Sequence, residues 1–165
     1  GTFPARGARF PRSVNAWKGW QRTMASMIGT YYHNIDVKGR MNFPTKLREC
    51  LGTPFFITKG IDQVCLTVYA QEEWDRLAAK VAAMPESKGG IIKRWIFSGA
   101  AEVTPDKQGR ILIPQNLRQF AGLEKDVVVI GANNKAEIWE KSRWEALNDA
   151  MNREELLSVM EELGF

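Results

Sequence analysis

The chain has 165 residues, 44% hydrophobic and 25% charged, enough apolar material for the core of an ordinary globular protein of one or two small domains. No apolar run approaches the roughly 18 residues of a membrane-spanning helix, and the N-terminus lacks the apolar stretch of a secretory signal. The net charge of +4 is no argument for a binding face: residues 1–26 carry +5, and the remaining 18 basic and 19 acidic side chains sum to −1.

Residues 1–26, with Arg6, Arg9, Arg12, Lys18 and Arg22 among Gly and Pro, show no core periodicity and are expected to be a disordered leader. The leader does not begin with Met, whereas Met24 and Met27 stand just before the first strand. A misplaced start or an expression scar is therefore favoured over a native arm touching DNA phosphates. Residues 29–35, rich in Thr and Tyr, suit a strand, and Asp36-Val37-Lys38-Gly39 a turn. Residues 40–43 resume as a strand whose alternation sets Met41 and Phe43 on one face, Arg40 and Asn42 on the other. Pro44 opens a short helix carrying Leu47 and Leu51 inward, and Gly52 stops it. Two further strands, residues 55–58 and 64–69, flank Gly60-Ile61-Asp62-Gln63. Residues 72–84 form an amphipathic helix with Trp74, Leu77, Ala78 and Val81 on one side.

That string of elements then recurs. Residues 29–77 lie over residues 99–147 at a constant offset of 70, and residues 35–52 match residues 105–122 at seven positions: Asp, Gly, Arg, Pro, Leu, Arg and Gly in fixed order. The second copy predicts strands near residues 95–103, 110–113, 126–130 and 136–139, with helices at 114–121 and 141–151. The chain thus divides into a leader (1–26), a first repeat (27–84), a linker (85–98), a second repeat (99–151) and a C-terminal helix (152–165) bearing Glu154, Glu155, Glu161 and Glu162. The overall class is α+β.

Each turn is built to display positive charge. The Asp36 or Asp106 carboxylate can accept backbone N–H bonds that shape the turn, while Gly39 or Gly109 supplies the bulged position. Lys38, Arg40, Lys107 and Arg110 are then free to project toward a phosphate or a guanine edge. Residues 36–48 hold four bases against one acid and residues 106–118 three against one, so the electropositive patches are local. The competing reading pairs each Asp with the Arg four residues on. Arg48 and Arg118 can equally bind phosphate, form a salt bridge or contact a neighbouring subunit. Trp74, Trp144, Tyr69 and Trp139 recur on apolar faces and read as packing rather than base stacking.

The paired Asp-x-x-Gly-Arg blocks, each followed by Pro-x-x-Leu-Arg, together with the strand pair and the Trp-bearing helix, resemble the MraZ proteins of bacteria over residues 27–163. The resemblance implies two tandem swapped-hairpin, AbrB-like β-barrel units with flanking helices. It also implies a cytoplasmic, nucleoid-associated transcription regulator that binds direct repeats of double-stranded DNA before the division and cell-wall gene cluster, assembled as a ring of identical subunits. Its functional motif falls on Asp36, Lys38, Gly39 and Arg40, and on Asp106, Gly109 and Arg110. Gln108 replaces Lys38 in the second copy, with Lys107 displaced by one place, so the two halves are not equivalent.

Catalysis has little support. His33 is the sole histidine, and it stands at no ligand spacing from Cys50 or Cys65, which read as small buried hydrophobes of a reducing compartment. Neither block is a phosphate loop or a dinucleotide motif. No metal and no cofactor are expected. The alternative function is a ring-forming interaction or scaffold protein whose hairpins serve assembly rather than DNA.

Overall fold

The structure, a computed structural model, describes residues 26–165, so the leader assigned to residues 1–26 lies outside the described residues but for Ser26. The first copy runs β1 (Thr30–Asn34), β2 (Arg40–Asn42), α1 (Thr45–Leu51), β3 (Phe55–Lys59), β4 (Leu66–Ala70) and α2 (Gln71–Ala82). Helix α3 (Glu86–Ile92) and a π-helical turn (Lys93–Phe97) lead to the second copy: β5 (Ala101–Val103), β6 (Arg110–Leu112), α4 (Gln115–Ala121), β7 (Asp126–Gly131), β8 (Ala136–Glu140) and α5 (Lys141–Asp149). Helix α6 (Arg153–Glu162) ends the chain. Pro44 and Pro114 stand at the N-caps of α1 and α4, one place before the helical residues, and Gly52 and Gly122 terminate those helices.

The strands pair between the copies. An antiparallel six-stranded sheet has the order β1-β7-β8-β4-β3-β5, and β2 pairs with β6 in a separate two-stranded ribbon. The first strand of each copy thus adds to the third strand of the other, β1 to β7 and β5 to β3. Thr67 faces Glu137 in the β4·β8 ladder, and Met41 faces Ile111 in the ribbon. Both are pairs of residues related by the offset of 70, so a pseudo-two-fold axis runs through the two ladders. The exchange of strands is the swapped-hairpin arrangement. It also means that no closed barrel forms among the described residues: neither copy keeps its own first strand, and the β4·β8 ladder fuses both halves into one open sheet.

One hydrophobic cluster fills the space between sheet, ribbon and the short helices, and both copies supply it: Leu47, Phe55 and Ile57 from the first, Ile111, Ile113 and Leu117 from the second. Each such side chain contributes about 1.5–3 kcal/mol of burial free energy. The recurring aromatics pack as expected, with Trp74 stacked on Phe56 at 4.9 Å between ring centroids and Trp139 against Trp144 at 5.6 Å. Cys65 is buried, which pushes its thiol up to about 12.

One expectation is corrected between the copies. The linker segment over residues 85–98 is helical from Glu86 to Phe97. Gly89 and Gly90 are buried, and a Cβ on Gly89 would lie 3.1 Å from the Val81 carbonyl, so Gly89 lets α3 pack closely on α2. The strand expected from residue 95 begins only at Ala101, because Ile96 is buried and its carbonyl accepts the Thr58 hydroxyl at 2.7 Å within the π-helical turn. Helix α6 buries none of its residues, leaving Leu156, Leu157, Val159 and Leu163 just after it exposed. No helix among the described residues is long and apolar enough to cross a membrane.

Candidate nucleic-acid interface

The two Asp-x-x-Gly-Arg turns have the same bonding. Asp36 Oδ1 accepts the backbone N–H groups of Lys38 and Arg40, both at 2.9 Å, and Oδ2 accepts Arg40 Nε at 3.4 Å. Asp106 does the same with Gln108 and Arg110, at 2.9, 2.9 and 3.0 Å. The backbone closes each loop, Gly39 N donating to the Asp36 carbonyl at 3.0 Å and Gly109 N to that of Asp106 at 2.9 Å. The backbone N–H of Arg40 does most to hold the Asp36 carboxyl below the usual carboxylate range, and that of Arg110 does the same for Asp106. Turn shaping and Asp–Arg pairing therefore coexist. The pairing uses only Nε, so four of the five N–H donors of each guanidinium lie outside it.

The turns are also fastened to each other. Gly39 O accepts the N–H of Ile113 at 2.8 Å, and Gly109 O accepts that of Phe43 at 3.1 Å. Arg118 donates Nε–H to Ile113 O at 2.9 Å and lies over Gly39; Arg48 donates to Phe43 O at 3.1 Å and lies over Gly109. Gly39 and Gly109 have φ of 90° and 78°, and a Cβ on either would stand 2.7 Å from the covering arginine. Glycine is required twice over, by backbone handedness and by this approach. Half-buried and bonded to main-chain carbonyls, Arg48 and Arg118 sit in the seam between the copies. The sequence gives no sign of that partnership, because each arginine meets a turn 61 or 79 residues away.

Alternation in the ribbon buries Met41 and Ile111, each 2% exposed, and turns Arg40, Asn42, Arg110 and Leu112 outward. Arg40 stands opposite Leu112, and Asn42 opposite Arg110. The arginine side chains are 42% and 40% exposed. Lys38 and Lys107 are exposed on the adjoining turns. The structure thus brings Lys38, Arg40, Lys107 and Arg110 to one ribbon and its two turns, and sets Arg48 and Arg118 behind them. Leu112 is the outward residue that motif reasoning missed; the same alternation that turns out Asn42 would have found it.

Among the described residues, no group of three or more His, Cys, Asp or Glu side chains is arranged to hold a metal ion. The ribbon offers charge-assisted and bidentate hydrogen bonding to an anionic or base-edge partner.

The family model described as "MraZ protein" matches residues 27–89 and again residues 96–163, one match per copy. A relative from Acetivibrio thermocellus, named Transcriptional regulator MraZ, is 49% identical over 140 residues, covering 82% of this chain and 97% of that protein. Proteins of the same name from Heliobacterium modesticaldum and Clostridium tetani are 51% and 45% identical, covering 74% and 83% of this chain and 86% and 98% of their own. The family model spans both turns and the ribbon between them, and the chain belongs to the MraZ family.

Proposed function

We propose that the protein is a sequence-specific DNA-binding transcription regulator of the cytoplasm and nucleoid, acting at direct repeats upstream of the division and cell-wall genes. The observation that carries this reading is the outward ribbon, where Arg40 and Arg110 are aligned by one register and pre-oriented by their aspartates. A two-stranded ribbon fits the major groove of B-DNA, where arginine pairs with guanine O6 and N7. Lys38 and Lys107 supply phosphate contacts beside it. Arg48 and Arg118 support the turns from the seam.

The reading includes a ring-like homo-oligomer. The exposed apolar side chains of α6 support self-association, and several ribbons on one rim would grip repeated boxes by avidity. The same helix favours the competing reading, in which the hairpins serve assembly alone. Replacing Arg40 and Arg110 together by Ala separates the two. A regulator loses sequence-selective binding while its circular dichroism and oligomer size stay unchanged. Unchanged DNA binding, or loss of assembly with binding retained, would move both arginines to a structural role.

A further inference from the structure

The ribbon is symmetric in its arginines and asymmetric beside them. The offset of 70 relates Arg40 to Arg110 but Asn42 to Leu112, and all four face outward. Leu112 is 55% exposed, opposite Arg40 and two residues along its strand from Arg110, on the face opposite the core. A lone exposed leucine needs no explanation in general. Here, however, it holds the place that its pseudo-equivalent fills with a carboxamide. The Asn42 amide makes no hydrogen bond to any described residue. The turns differ as well, Val37-Lys38 in one and Lys107-Gln108 in the other.

We propose, on the reading of the ribbon as a DNA-binding element, that Asn42 and Leu112 determine its base specificity. Asn42 pairs with an adenine through N7 and N6, and Leu112 packs on the C5 methyl of a thymine, with Arg40 and Arg110 anchoring either side. Carboxamide to adenine and alkyl group to thymine methyl are the pairings that major-groove chemistry favours for these side chains. Outward residues two apart on a strand are separated by about 6.6–6.8 Å, which matches two steps of about 3.4 Å along a DNA strand. Each strand therefore aligns one arginine and one specificity residue with bases two steps apart. Two identical halves would read a palindrome; Asn42 in one and Leu112 in the other give the site a direction.

The test is selection of bound duplexes from a randomised library by the full chain and by three variants, each checked for unchanged circular dichroism. Asn42→Ala is expected to lower the preference for adenine at one position by roughly 5- to 150-fold while leaving the rest of the core in place. Leu112→Ala is expected to lower the preference for thymine at a position in the other half by about fourfold, the worth of a buried methyl. Leu112→Asn makes the outward row two-fold symmetric and is expected to shift the selected core toward a palindrome with adenine in both halves. Variants that select the parental core unchanged, under a parent that is itself selective, overturn this assignment alone. A parent that selects no sequence overturns both the assignment and the regulator reading beneath it.

Discussion

Arg118 of the second copy lies across Gly39, the turn glycine of the first, and donates its Nε–H to Ile113 O at 2.9 Å; Ile113 in turn donates its N–H to Gly39 O at 2.8 Å. The loop that orients Arg40 is therefore held by the other copy. Arg48 returns the arrangement over Gly109. Gly39→Ala is expected to destabilise the protein by about 1–3 kcal/mol, from the positive φ and the displaced guanidinium. Arg118→Ala is expected to raise amide hydrogen exchange at Ile113 by about fivefold, the equivalent of one ordinary hydrogen bond. Unchanged melting in the first variant and unchanged exchange in the second would show that the seam does not tie the turns together.

Acid should loosen the turns before it unfolds the core. Asp36 and Asp106 have folded-state pKa values below the unfolded one, chiefly through the backbone N–H groups of Arg40 and Arg110. A depressed carboxylate contributes stability that is fully present above the unfolded value of about 3.9 and is lost as pH falls through the folded value. The contribution is thus constant at neutral pH. Chemical shifts of the Lys38, Arg40, Gln108 and Arg110 amides are expected to titrate together only below about pH 4. Asp36→Asn, which keeps an acceptor for the backbone, should retain the turn but abolish that titration in the first copy. A midpoint at the ordinary value would contradict the bonded geometry.

Ile111 and Met41 face each other where the pseudo-two-fold axis crosses the ribbon, and both are buried beneath its outward row. Ile111→Ala is expected to cost about 2–5 kcal/mol of folding stability by opening a cavity there. Denaturant unfolding measures it. At temperatures where the variant is folded, its affinity for DNA should match the parent, since no outward group has changed.

Helix α6, with no buried residue of its own, is capped by Asn152, whose Oδ1 accepts the N–H groups of Glu154 and Glu155 at 2.9 and 3.3 Å. Leu157→Glu with Leu163→Glu is expected to lower the assembled mass in light scattering while shifting subunit stability by about 0.5 kcal/mol or less, as for surface positions. An unchanged mass would remove α6 from the assembly surface.

The elements were legible in the sequence because hydrophobic alternation and turn chemistry are local. Met41 and Phe43 inward, Arg40 and Asn42 outward, and helices bounded by Pro44 and Gly52 all follow from periods of two and about 3.6 residues. Strand pairing was not legible from the same pattern. The apolar face of β1 reads identically whether it joins β3 or β7, and only the resemblance to a swapped-hairpin family supplied the exchange. Gly89 was opaque for a similar reason: the close approach of α3 to α2 that leaves no room for a Cβ there exists only in the fold. Arg48 and Arg118 were visible as a repeated pair, but their contact with the opposite turn is a product of that exchange.

The most direct test of the central claim is the affinity of the protein for labelled DNA from upstream of its own gene, against a scrambled duplex, at several salt concentrations. It should be run for the full chain and for one beginning at Met27, so that the basic leader is weighed separately. Neutralising about two phosphates through Lys38 and Lys107 gives roughly a tenfold loss of affinity between 50 and 200 mM salt. Tight, sequence-selective and salt-sensitive binding by both chains is the expected result. Equal weak binding to both duplexes, or binding that vanishes with the leader, would contradict a DNA-reading ribbon and leave the hairpins as assembly elements.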